Sequence, residues 1–116
     1  MKKLFKIFAL LLVFTLSACA VQDTGSATKD AFLVDVRTPE EFAEGSVPGA
    51  VNIPIEVLPE NIDRFRGKGN VVVFCRTGNK AGKAKKILDE AGIKNVRNGG
   101  TWKEVKEEME ENRDVR

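Results

Sequence analysis

The sequence predicts an α/β domain, with a largely parallel sheet covered by helices on both faces. Three observations carry this. Short apolar runs at residues 31–36, 50–53 and 71–74 have the length and composition of buried strands. Helix-start and helix-period signals fall between and after them, so strands and helices alternate along the chain. The chain has 116 residues, 42% hydrophobic and 31% charged, which suits one small domain and not two.

The N-terminus, MKKLFKIFALLLVFTLSACA, comes before this pattern begins. Lys2, Lys3 and Lys6 precede a nearly unbroken apolar run from Ile7 to Leu16 that is too short to span a bilayer comfortably and ends in small residues. Residues 1–18 therefore read as a removable export signal. Leu16-Ser17-Ala18-Cys19 resembles the lipobox of bacterial lipoproteins, in which the cysteine is acylated and becomes the first mature residue. The other reading is an A-x-A site, Ala18-Cys19-Ala20, for ordinary signal peptidase. Lipid on Cys19 would hold the domain at the outer side of a bacterial membrane, the periplasmic side in a Gram-negative cell, since each buried methylene contributes about 0.8 kcal/mol. The formal charge of +2 belongs to the signal. Its three lysines removed, 16 basic side chains face 17 acidic ones, a net of −1, and no nucleic-acid partner is implied.

The polar, aperiodic stretch to Asp30 reads as a flexible tether, so residues 19–30 are lipidated cysteine and linker and residues 31–116 the domain. Residues 31–36 form the first strand. Thr38-Pro39-Glu40-Glu41 is a helix start, with Thr38 as cap, Pro39 at the first helical position and Glu41 closing a capping box; Gly45 ends that helix. A turn at residues 46–49 leads to a short strand at 50–53. Residues 54–65 hold a short helix broken by Pro59. Residues 71–74 are the clearest strand and 80–91 the clearest helix, with Ala84, Ile87, Leu88 and Ala91 on one face and Gly92 as the stop. A last strand is expected at 95–97. Thr101 and Glu104 form a second capping box, opening a helix that buries Trp102, Val105 and Met109.

The chemistry concentrates at Cys75, where the third strand meets the helix at 80–91. There are two cysteines; with Cys19 lipidated, Cys75 has no intrachain partner and is either a reactive thiol or a buried structural one. The loop favours the first. A free cysteine is only about 3% thiolate at neutral pH. The following helix points its N-terminus at the loop, Gly78 lets several N–H groups turn inward, and Arg76 and Lys80 add positive potential. Lys83, Lys85 and Lys86 read as a solvated face. An anion cradle with sulfur at its base serves three chemistries. Tyrosine-type phosphatases need arginine six positions on, where Ala81 stands. Thioredoxin-like exchange needs a second cysteine three positions on, where Gly78 stands. Persulfide sulfur transfer needs no second thiol, metal or cofactor and no histidine, and this chain has no histidine.

Three ordered segments resemble single-domain rhodaneses: Leu33-Val34-Asp35-Val36-Arg37 with Glu40-Glu41-Phe42, Gly45 and residues 47–54; the six-residue loop Cys75-Arg76-Thr77-Gly78-Asn79-Lys80; and Asn98-Gly99-Gly100-Thr101-Trp102. The resemblance spans roughly residues 30–110. It implies a three-layer α/β/α fold with a five-stranded, mostly parallel sheet. It also implies Cys75 as persulfide carrier, with Arg76, Thr77, Gly78, Asn79 and Lys80 holding a small sulfur-containing anion such as thiosulfate, and a thiophilic small molecule or protein thiol as acceptor. By the same resemblance Asp35 and Arg37 order the neighbouring loop, Gly99 and Gly100 are backbone positions, and Trp102 belongs to the core. Ser46 departs from the family, which often has histidine there. The competing class is a binding module that carries sulfur, or docks a sulfur anion or partner thiol, without turnover.

Overall fold

The structure is a computed structural model and describes residues 30–114. The expected export signal, Cys19 and nearly all of the expected tether lie outside the described residues. Among the described residues four strands and three α-helices follow one another: β1 (Phe32–Asp35), α1 (Pro39–Glu44), β2 (Val51–Asn52), a 3₁₀ segment (Ile55–Phe65), β3 (Val71–Cys75), α2 (Asn79–Glu90), β4 (Val96–Thr101) and α3 (Trp102–Asp114). The strands form one sheet of order β2-β1-β3-β4 among the described residues, every pairing parallel.

Alternation along β3 builds a core on each face. Val71, Val73 and Cys75 point into a cluster with Leu58, Phe65, Ala81, Ala84 and Leu88, contributed by the 3₁₀ segment and α2. Val72 and Phe74 point the other way, into a cluster with Leu33, Val47 and Val105 of α3. All five β3 residues are buried, as expected for a central parallel strand covered on both sides.

The local signals act as their chemistry requires. The Thr38 hydroxyl accepts the Glu41 N–H while Glu41 reaches back to the Thr38 N–H; Thr101 and Glu104 make the same reciprocal pair before α3. Gly92, at φ +87°, ends α2 by donating to the Asp89 carbonyl, and Ile93 donates to Leu88. That pair of bonds is a Schellman stop.

Four expectations are corrected. The 3₁₀ winding runs through Pro59 and kinks instead at Asn61, so proline is accommodated and the break comes two residues later. β2 is only two residues long. β4 is six residues long, not three, because a bulge at Gly99 lets its pairing with β3 continue to Cys75 opposite Thr101. Trp102 and Met109 are half-buried at the margin of the second cluster, while Val105 is fully buried. Among the described residues no helix is long and apolar enough to cross a membrane.

Candidate active site

The sheet order reverses direction between β1 and β3. From β1 the chain goes out to β2 on one side, then returns to β3 and β4 on the other. In open α/β sheets such a switch point leaves a crevice beyond the strands' carboxyl ends, where ligands bind. Cys75 ends β3 there, and Asp35 and Arg37 end and follow β1 beside it.

Cys75 is 2% exposed. Gly78 takes φ +97°, a left-handed turn that glycine adopts without strain, and α2 starts at the next residue. This turn aims main-chain donors back at the sulfur. The Gly78 N–H lies 2.9 Å from Sγ and the Ala81 N–H 3.4 Å. These are groups a helix start leaves unpaired, and they favour negative charge on their acceptor. The loop is tied at its rim. Asn98 of β4 donates to the Gly78 carbonyl (3.2 Å) and accepts from the Gly100 N–H (2.8 Å). Gly100 lies so near that a Cβ on Gly78 would sit 3.6 Å from its Cα.

Beside the loop is a buried ion pair. Asp35 is fully buried and Arg37 is 5% exposed. The guanidinium donates to both carboxylate oxygens, at 2.7 Å in the closest contact, and to the Gly45 carbonyl at 2.6 Å. The Arg37 N–H and the Ser46 hydroxyl donate to the same carboxylate. Trp102 stacks below, its ring centroid 5.0 Å from the Arg37 Cζ. Hydrogen bonding to Asp35 above all holds the Arg37 guanidinium above its ordinary range, against the opposing effect of burial and with lesser electrostatic help from Asp35, Glu41 and Cys75.

At the outer edge Arg76 is mostly exposed and reaches Glu41 of α1, Nε to Oε2, at 3.9 Å. The other oxygen of Glu41 receives the Thr38 N–H and hydroxyl. Thr38's backbone N–H above all, with its hydroxyl and with Arg37 and Arg76 nearby, holds the Glu41 carboxyl below its usual range.

The crevice thus brings together Cys75, Gly78, Asp35 and Arg37. Thr77 and Asn79 lie exposed on the rim, where Thr77 Oγ1 accepts the Asn79 N–H, and Lys80 is half-buried in the first turn of α2. Neither Arg76 nor Lys80 hydrogen-bonds the sulfur; its partners are main-chain groups. Main-chain donors from the helix start were expected at the sulfur; the sequence did not show that one of them is Ala81, nor the Asn98 tie, nor the electrostatic contact between Arg37 and Cys75. Ala81 carries no side-chain signal. Asn98 stood next to the glycine pair and was the one legible clue.

A rhodanese-like domain model matches residues 20–114. The chain belongs to the rhodanese-like family. Its relatives include the thiosulfate sulfurtransferase PspE of Escherichia coli, 36% identical over 101 residues, covering 85% of this chain and 88% of PspE. A rhodanese from E. coli solved with anions superposes with a TM-score of 0.59 at 38% identity, covering 64% of this chain and 89% of the other. The human single-domain sulfurtransferase TSTD1 superposes at 0.58 with 31% identity, covering 67% and 82%. The rhodanese fold, α/β with a parallel sheet flanked by helices, and kinship with sulfurtransferases follow.

Proposed function

We propose that this rhodanese-like chain is a sulfurtransferase that carries sulfane sulfur on Cys75. The observation that carries the reading is the pair of N–H groups aimed at Sγ from the Gly78 turn and the first turn of α2. They favour the thiolate, the nucleophilic form of cysteine. The thiolate attacks the outer sulfur of thiosulfate. The sulfur–sulfur bond breaks, its electron pair leaves with sulfite, and Cys75 becomes a persulfide. A thiophilic acceptor such as cyanide or a thiol then attacks the terminal sulfur, and the electron pair returns to Cys75 as thiolate. The donor anion is held by the loop of Arg76, Thr77, Gly78, Asn79 and Lys80, while Asp35 and Arg37 keep the neighbouring loop in place. Sulfur, acceptor and thiolate supply all the bonds, so no cofactor or metal enters.

The test is steady-state thiocyanate production from thiosulfate and cyanide. Wild type turns over and Cys75→Ser falls to background; equal background rates in both would overturn the enzyme reading. Extra sulfur retained on Cys75 without turnover would make the protein a carrier. The domain works outside the cytoplasm on a lipid anchor at Cys19, a reading supported by the Leu16–Cys19 lipobox. Cys19→Ala is expected to abolish acyl labelling, and an unlabelled wild type would mean ordinary secretion.

A further inference from the structure

Glu41 is a carboxylate fixed at the mouth of a crevice built to receive an anion. One of its oxygens is engaged by the Thr38 N–H and hydroxyl at 3.2 Å each, so the side chain cannot swing away without opening the cap of α1. The other faces Arg76 Nε at 3.9 Å. Arg76 directly follows Cys75 and its side chain is 75% exposed, so little packing holds it. Arg37 is committed to Asp35 and Gly45, and Lys80 is half-buried in the first turn of α2, five positions from the sulfur. Arg76 is therefore the exposed cation nearest the sulfur in sequence, and a carboxylate on another element faces it.

We infer that Glu41 is a specificity-determining residue that holds Arg76 toward α1 and withholds it from the incoming donor. This rests on the sulfurtransferase reading for its substrate class. A dianion such as thiosulfate must compete with Glu41 for Arg76, whereas a neutral sulfane donor meets no such competition. The native chain thus trades affinity for small inorganic anions against tolerance of uncharged or thiol-borne sulfur. Cys75 itself reports on this without turnover, because iodoacetate and iodoacetamide alkylate the same sulfur, each losing iodide, and differ in charge.

The experiment compares those two alkylation rates in the folded protein, read by intact mass at low ionic strength. Glu41→Gln keeps a residue suited to the capping box and removes the charge. The iodoacetate-to-iodoacetamide rate ratio is expected to rise about threefold, the size of one screened unit charge, here Arg76 released toward the anionic reagent, and the KM for thiosulfate to fall by a similar factor. In an Arg76→Ala background the same substitution is expected to raise the ratio far less. An unchanged ratio in Glu41→Gln overturns the inference, even if thiosulfate turnover is normal. A rise equally large without Arg76 makes Glu41 a bare charge and overturns the restraint. A raised ratio with no turnover upholds the inference and removes the enzyme reading instead. A Cys75 that neither reagent modifies would overturn both.

Discussion

At the scale of single residues, the crevice places the greatest demand on Asp35. A carboxylate with no exposure is tolerable only because its oxygens accept from Arg37, the Arg37 N–H and Ser46. Breaking such a pair by removing one partner strands the other as an uncompensated buried charge, which costs about 3–5 kcal/mol. Asp35→Ala is therefore expected to lower the denaturant midpoint by a large share of the domain's stability, whereas Ser46→Ala removes one hydrogen bond, about 1 kcal/mol. Equal midpoints for wild type and Asp35→Ala would show that the pair contributes little. The Asp35–Arg37 spacing was visible in the sequence as part of a family signature. That Cys75 lies close enough to act on the Arg37 guanidinium was not visible, because 38 positions of chain separate them and the β1–β3 pairing brings them together.

At the scale of elements, the caps were legible and the irregular backbone was not. Thr38–Glu41 and Thr101–Glu104 announce two helices because side-chain capping is local chemistry. The length of β4 was hidden. Asn98-Gly99-Gly100 looks like turn chemistry, yet β3 holds it in the sheet through a bulge, and that is a tertiary effect. The packing there explains the first glycine. A Cβ on Gly99 would come within 2.6 Å of Val105 Cγ2 and 2.8 Å of Val72 Cγ1. Gly99→Ala is expected to destabilise by about 1–3 kcal/mol through overpacking, measured by urea unfolding with Trp102 fluorescence. A neutral result would mean that α3 can move off the sheet. The α1 cap makes a pH prediction. Because the folded state holds the Glu41 carboxyl below its usual range, its contribution is complete above the unfolded value, about 4.3, and is lost as pH falls through the folded value. Thermal melts should show wild type more stable than Glu41→Gln at pH 7, with the gap closing in strong acid. A gap that persists undiminished in strong acid would mean the stabilisation is not electrostatic.

At the scale of the whole molecule, topology makes the site. Reversal of strand order between β1 and β3 opens the crevice, the apolar β3 run delivers Cys75 into it, and α2 brings unpaired N–H groups to the sulfur. The alternation of strands and helices let this layout be expected, since a parallel sheet puts every strand's carboxyl end on the same edge. That main-chain donors would face the sulfur was expected from the helix start; that one of them is Ala81 was not, because a main-chain N–H has no letter of its own in a sequence. The most direct test of the central claim is stoichiometric loading. The reduced protein is mixed with excess thiosulfate and its intact mass recorded before and after adding cyanide. The account predicts a gain of one sulfur atom on Cys75, lost again as thiocyanate, and no gain in Cys75→Ser; a wild type whose mass never changes, with Cys75 still a free thiol, would contradict it.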